Sequence, residues 1–321
     1  MFLLSKAEGL SVLHTAAMGG NPAIVNHCLE AGVDVNTLTP TGETPLHFAI
    51  VFGSEEAAAL LLKAGADPNV ADGNGDPPLV TAVRRKQSEM VRMLIRHGTD
   101  VNLTGTKHAT PIYYAAEHDD EEICKLLLRA GADPNITNER GYSALAVACD
   151  QQNEAAMHVL IEHGADLELE GEPDGILPVH ICIMDKNRNL LRILLEAGAA
   201  PNRRSRHGLT SFDIAVRRVG APLVAHTLLE YDFDINLASG GVKLTPLHNA
   251  ITSGDMELFE KVMERHPDVE AATAAGERAI HMAVVARQPD MVEALIKRNC
   301  SVLVIDGYGN YPSVLAAQRG D

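Results

Sequence analysis

Tryptophan is absent, and aromatic residues make up only 4% of the 321 residues. A core organised around bulky rings is therefore excluded, and the apolar 46% must consist chiefly of Leu, Ile, Val and Ala, which suit thin helix–helix layers. Cysteine is also sparse. Cys28, Cys124, Cys149, Cys182 and Cys300 are odd in number, dispersed and without a Cys-x-x-Cys pair, which argues against a disulfide framework or a zinc site and predicts buried, reduced thiols. Positive charge is in deficit: 27 Lys and Arg face 43 Asp and Glu, for a net charge of −16, which argues against general nucleic-acid binding because displacing phosphate counterions needs cations. No apolar run approaches the ~20 residues that span a bilayer. Met1-Phe2-Leu3-Leu4 is shorter than the ~7–15 residue apolar part of a signal peptide. The expected setting is cytoplasmic or nuclear.

What the chain does have is a period. Leu13, Leu46, Leu79, Ile112, Leu145, Val179, Phe212, Leu247 and Ile280 stand 33, 33, 33, 33, 34, 33, 35 and 33 residues apart. A single globular core gives no reason for equivalent residues at fixed spacing, so the period means stacked copies of one small unit.

The clearest copy runs from Thr39 to Asn69. Gly42 supplies a tight turn, Thr44 can cap the next helix through its hydroxyl, and Pro45 sits at the first helical position, where its missing N–H costs nothing. Ala49 and Ile50 give the first helix a slim inner side, Gly53 ends it, and Ala57 to Leu62 supply the apolar face of a second, antiparallel helix closed by Gly65. Gly32, Gly98, Gly131, Gly164 and Gly198 repeat that closing glycine, and Asn36, Asn69, Asn102, Asn135, Asn202 and Asn236 follow about four residues after helix two. Thr-Pro-Leu-His, small residues, an apolar helix and Gly-Ala-Asp-x-Asn in this order resemble the ankyrin repeat. The resemblance covers almost the whole chain and implies an all-α solenoid of stacked antiparallel helix pairs with β-turn tips. The expected units are 6–38, 39–71, 72–104, 105–137, 138–171, 172–204, 205–238, 239–272 and 273–305, with a partial unit 306–321, forming one array (1–321) within a longer protein.

Some copies depart from the pattern. His108 and Lys243 replace the turn glycine, Asp232 and Asn299 replace the glycine after helix two, and extra residues surround Gly240 and Gly241. Phe2, Leu3 and Leu4 could fold over the amino-terminal end, and the partial unit around Tyr308 to Ala317 stops after helix one.

Residue sets that resemble catalytic sites dissolve into the repeat. His14, His47, His180, His248 and His281 recur at one position, where the resemblance implies a side chain bridging backbone groups of adjacent turns. His158 and His163 lie five apart, a poor spacing for a helical metal site. Asp119, Asp120, Glu121 and Glu122 open a second helix, where its dipole stabilises negative charge. Glu168, Glu170, Glu172 and Asp174 lack the order of a calcium loop. The sequons at Asn102 and Asn135 use the return-loop Asn of the unit, and the resemblance also allows hydroxylation of Asn69 or Asn135. The terminal Arg319-Gly320-Asp321 stands in phase with Ser253-Gly254-Asp255. No phosphate loop, nucleophile elbow or His-Glu-x-x-His is present, so no catalytic site, metal or cofactor is expected.

Subtracting the regular positions leaves candidate contacts. The resemblance implies a groove lined by turn tips and by the last residues of each first helix. Its amino-terminal end is apolar at Met18, Val51 and Phe52, residue types that serve either as partner anchors or as core. Farther along come Arg84, Arg85 and Glu117, then Arg140 and Tyr142 at a turn tip, and Met184. Arg203, Arg204, Arg206 and His207 share one turn, with Arg217 and Arg218 after the adjoining helix. These guanidinium groups would suit an acidic peptide, a phosphorylated segment or an anionic headgroup; the alternative is a solvated surface neutralised by Glu196 and Glu230. The expectation is a monomeric, non-catalytic scaffold for an extended or acidic segment of another protein, or else the regulatory part of a larger channel, enzyme or membrane-trafficking protein.

Overall fold

The computed structural model describes residues 9–171 and 175–319, the side chains of Arg218 and Arg319 excepted. Phe2, Leu3 and Leu4, the Glu172 and Asp174 carboxylates, and the terminal Gly320-Asp321 lie outside the described residues. The chain groups into two compact units, Met1–Leu169 and Glu170–Asp321, divided in the loop between the fifth and sixth repeats.

The first unit holds the helix pairs α1 (Val12–Gly19) and α2 (Pro22–Glu30), α3 (Pro45–Val51) and α4 (Glu55–Lys63), α5 (Pro78–Arg84) and α6 (Ser88–Arg96), α7 (Pro111–Glu117) and α8 (Glu121–Arg129), and α9 (Ala144–Asp150) and α10 (Glu154–Glu162). The second holds α11 (Pro178–Met184) and α12 (Arg188–Glu196), α13 (Ser211–Asp213, continued by a π-type turn over Ile214–Arg218) and α14 (Pro222–Leu229), α15 (Pro246–Ser253) and α16 (Met256–Glu264), α17 (Ala279–Val285) and α18 (Pro289–Lys297), and α19 (Pro312–Arg319). Among the described residues, extended pairing is limited to isolated bridges such as Arg204 with Thr210 and Ala272 with Arg278, which close turn tips.

Within each unit first helices stack on first helices and second on second, as in α3 on α1 and α4 on α2, or α17 on α15 and α16 on α14. The periodic residues form the seam: all nine, from Leu13 to Ile280, are buried. Ala49, Ala82, Ala115 and Ala148 are buried beside them, and their small side chains let neighbouring helices approach closely. Thr44 caps α3 by accepting from the His47 N–H, and Gly65 takes the left-handed conformation, with φ 91°, that closes α4.

Side chains also tie each repeat to the next. The Ser11 and Thr44 N–H groups donate to Nδ1 of His14 and His47, whose Nε2 atoms point at the carbonyls of Glu43 (3.1 Å) and Asp76 (3.3 Å) one repeat on. Each imidazole is thus a neutral bridge with its proton on Nε2. The return-loop Asn does the same at the other end. Asn102 Oδ1 accepts from Asp133 N–H at 2.8 Å while its amide donates to Gly131 O at 3.3 Å, and Asn36, Asn135 and Asn202 repeat both bonds. All five cysteines are buried, and none forms a disulfide.

Irregular copies keep the geometry by other means. His108 and Lys243 adopt the left-handed backbone of the glycine they replace, and Asn299 does so after α18. At Asp232, the Arg265 guanidinium of the next repeat instead collects the carbonyls of Leu229, Tyr231 and Phe233 at 2.6, 3.0 and 3.1 Å, satisfying the open end of α14. Arg265→Ala should therefore lower stability by about 2–4 kcal/mol in urea unfolding, more than Arg265→Lys, since charge-assisted bonds are worth about 1.5–3 kcal/mol each and the carbonyls would lose their donor.

Burial makes the repeated imidazoles sensitive to acid. His180 and His248 are held down to about 4, because burial outweighs the pull of the Arg203 and Ala271 carbonyls. The unfolded chain, with imidazoles near 6.5, takes up protons that the folded chain refuses, so stability falls as pH drops from about 6.5 to about 4 and these residues cause no further loss below that. The urea midpoint should decline between pH 7 and pH 5. The decline should be shallower in the His180→Asn/His248→Asn variant.

Candidate recognition groove

In the first unit the ends of the first helices and the turn tips enclose three adjoining hollows of about 410, 350 and 280 Å³. The first lies among His47, Val51, Asp72, Asp76, Arg84 and Arg85. Arg84 also borders the second, together with Thr106, Tyr114 and His118. Lys107, Tyr113, Glu117 and Asn138 line both the second and the third, which continues to Arg140, Tyr142, Asp150 and Gln151. The result is one groove running across repeats two to five.

A buried carboxylate fixes its middle. Asp76 pairs through Oδ2 with Arg84 Nη1 at 2.7 Å, while its Oδ1 accepts from the Thr106 N–H (2.6 Å) and hydroxyl (2.7 Å). The Arg84 guanidinium lies 5.4 Å from the centre of the Tyr114 ring, and the Tyr114 hydroxyl donates to Thr106 O at 2.9 Å. Arg84 is thus half-exposed yet held between a carboxylate and a ring, a rigid part of the wall. Tyr113 meets Tyr114 edge to face, with ring centres 5.7 Å apart. Burial, with Glu117 and Asp150 facing it, pushes its hydroxyl up to about 12, so it stays protonated and able to donate. The turn tips are locked as well: Asn138 Oδ1 accepts from the Arg140 and Tyr142 N–H groups, and Glu139 N–H donates to Lys107 O at 3.0 Å. Arg85, Lys107 and Arg140 are exposed along the rim.

The residues expected from sequence fall into three sets. Val51, Arg84, Arg85, Glu117, Arg140 and Tyr142 come together in this groove. Met18 and Phe52 stand outside the three hollows; Phe52 is 55% exposed and stacks on Phe48 at 6.4 Å, with Phe48 edge-on to His14. The third set lies in the second unit, where Met184, Arg204 and His207 are exposed. There the basic turn meets counter-charges other than the Glu196 and Glu230 named in the alternative reading. Glu170 lies 3.6 Å from Arg203 and 3.4 Å from Arg206, and the buried Asp213 lies 3.2 Å from Arg217. Glu230 instead pairs with Arg188 and Arg192, and Glu196 accepts from the Tyr231 hydroxyl. Among the described residues Glu170 and Asp213 supply counter-charge, because the return loop and the first turn of α13 place them beside the arginines. The Arg218 side chain lies outside the described residues.

Sequence reasoning missed Tyr113, Tyr114, Lys107, Asp76 and Asn138. A signal was present: Tyr113 occupies the place of the repeated His, and Lys107 precedes a non-glycine turn tip. Among the described residues no group of three or more His, Cys, Asp or Glu is arranged to hold a metal ion. Among the same residues no helix is long and apolar enough to cross a membrane.

Comparison with known proteins agrees with the repeat. The sequence matches the family described as "Ankyrin repeats (3 copies)" over residues 2–72, 64–138, 112–205, 145–239 and 212–306. It is 30% identical over 133 residues to the mouse (Mus musculus) B-cell lymphoma 3 protein homolog, a match covering 39% of this chain and 29% of that protein. Among solved structures, the ankyrin repeat domain of Bcl-3, described as a unique member of the IkappaB protein family, superposes with a TM-score of 0.63 at 24% identity, covering 69% of this chain and 99% of that one. The human ASB11 ankyrin repeat domain gives 0.57 at 26% identity, covering 70% and 99%.

Asp76→Ala should cost about 3 kcal/mol of stability in urea unfolding, because it strips the Thr106 N–H and Arg84 of their buried acceptor. Arg85→Ala should change the same midpoint by less than about 0.5 kcal/mol.

Proposed function

We propose, on the premise that the chain belongs to the ankyrin-repeat family, that it is a non-catalytic scaffold whose first unit holds an extended segment of another protein. The observation that carries this reading is the groove itself. Three hollows join end to end between His47 and Gln151, with a rigid Asp76–Arg84–Tyr114 wall, tyrosines on the floor and exposed cations at Arg85, Lys107 and Arg140. Linked hollows of this size suit successive side chains of an extended chain better than one compact small molecule. Tyrosine and arginine are also the side chains that most often dominate binding energy at protein interfaces. The exposed Arg85 and Arg140 favour a segment with acidic residues at those points, and guanidinium groups add direction as well as charge.

A second reading, in which the array regulates a larger channel, enzyme or membrane-trafficking protein, draws support from the mouse relative, where the matched region is 29% of the length. Both readings place the partner in the same groove.

A photo-reactive phenylalanine analogue in place of Tyr113 should form an adduct with a discrete partner in cell extract, whereas the same group at the exposed Arg96 of α6 should not. Charge reversal of Arg85 and Arg140 should weaken capture by at least about tenfold and flatten its salt dependence. Adducts at position 96 but not at 113 would contradict the groove assignment, and unchanged capture and salt slope would remove the acidic-segment reading.

A further inference from the structure

The third hollow of the groove carries the same charge pattern twice. Lys107 and Arg140 stand 33 residues apart at successive turn tips, and Glu117 and Asp150 stand 33 residues apart at the ends of α7 and α9. Two consecutive repeats thus each present a cation on one wall and a carboxylate on the other, and all four line the hollow. In the second and third repeats the same two places hold Thr41 and Val51, then Asn74 and Arg84. The opposed charges do not neutralise each other. Among the described residues the ion pairs of the first unit use other groups, Arg84 with Asp76 in the wall and Arg92 and Lys125 on second helices. Asp150 Oδ2 accepts from the Gln151 amide at 2.8 Å, Glu117 is half-buried, and Lys107 and Arg140 are exposed.

The stack fixes the spacing of the two charge pairs. Glu139 N–H donates to Lys107 O at 3.0 Å, which joins the two tips, and α9 packs on α7. Helices in such contact lie about 8–10 Å apart. An extended chain advances about 3.1–3.4 Å per residue, so one repeat matches three residues of a partner, since two span about 6.5 Å and four about 13 Å. In a β-strand residues three apart point to opposite faces, whereas a polyproline-type helix, with about three residues per turn, brings them to one face. Among the described residues of the first unit no strand edge runs along the groove for a strand to join, and the Tyr113 ring on the floor is the kind of surface on which prolines pack. We propose that this hollow reads a charge-patterned, polyproline-type segment of the partner. Acidic residues three apart meet Lys107 and Arg140, basic residues three apart meet Glu117 and Asp150, and proline at the remaining place lies against Tyr113. The order of acid and base within the triplet is set by the direction in which the segment runs. This specificity rests on the scaffold reading of the groove and narrows it from an acidic segment to an acid–base triplet. Each ionic contact at a solvated rim is weak by itself, so selectivity comes from meeting all four at once, which the three-residue period allows.

Three fluorescein-labelled peptides of one composition provide the test: three copies of Pro-Glu-Lys, three copies of Pro-Lys-Glu, and the same residues ordered so that acids recur at every second position. In fluorescence anisotropy with the 321-residue chain, one of the first two should bind saturably and at least about tenfold more tightly than the third. That affinity should fall at least about fivefold in the Lys107→Asn/Arg140→Asn variant, and equally in the Glu117→Gln/Asp150→Asn variant. Asparagine tolerates the left-handed backbone of position 107, and the urea midpoints of both variants should stay close to that of the parent, which separates loss of binding from loss of fold. Equal binding of the period-two peptide, or an affinity that falls with the cations but not with the carboxylates, would overturn the triplet while leaving the acidic-segment reading in place. Absence of saturable binding by all three peptides would overturn the triplet as well, and the Tyr113 adduct then decides separately whether the groove holds a partner.

Discussion

Within each compact unit, repeats are tied to their neighbours by polar bridges. A return loop by itself leaves backbone N–H and C=O groups turned inward with nothing to meet them, and an unpaired buried group costs about 1–3 kcal/mol. The Asn amide supplies an acceptor to the Asp N–H of the following loop and a donor to the glycine carbonyl that ends the following helix. The imidazole of His14 or His47 does the equivalent work at the turn tip, taking one N–H from its own cap and offering its other nitrogen to the next turn. Apolar burial supplies the driving force for stacking, but it is not directional. Within each half of the chain the bridges fix the angle and spacing at which one repeat meets the next, and hence the spacing of whatever projects from the turn tips.

That constraint divides the residues. Where His14 or His47 bridges backbone groups of adjacent repeats it has no capacity left for a ligand, and the neutral imidazoles of His180 and His248, held near 4, carry no charge with which to attract one at pH 7. Where the bridge position has been given up, the freed place is used differently. Val80 stands where the third repeat would have its His, and nearby Asp76 reaches Arg84 and Thr106 instead. Tyr113 stands at the same place in the fourth repeat and opens onto the groove. Asp213 stands there in the seventh and pairs with Arg217. Of these, Tyr113 lines the proposed groove and Asp76 holds its wall, whereas Asp213 lies beside the basic turn of the second unit.

The stacking and its seam were legible because burial recurs with the period: one residue, Leu46 or Ile112, stands for nine equivalent ones. Groove-lining residues such as Arg84 and Tyr142 were legible as departures from a regular stripe. Tyr113 was not, since its position had been assigned to architecture and a tyrosine there looks like a degenerate copy of the repeat. Glu170 and Arg265 were hidden for another reason. Their partners lie 36 residues from Glu170 at Arg206 and 32 to 36 residues before Arg265 at Phe233, Tyr231 and Leu229, so each contact depends on how a loop crosses to the neighbouring repeat. A helical or turn-based pattern constrains neighbours a few residues apart and carries no information about that crossing.

The central claim is that architecture and recognition occupy separable residues. It is tested most directly by returning three groove exceptions to the residues used elsewhere in the array or to alanine, as Arg85→Ala, Tyr113→His and Arg140→Asn in one chain, and measuring its affinity for the partner captured by the parent groove. The account predicts an affinity lower by more than about tenfold at a urea midpoint equal to or above that of the parent. Parental affinity in a chain with an unchanged midpoint would contradict it.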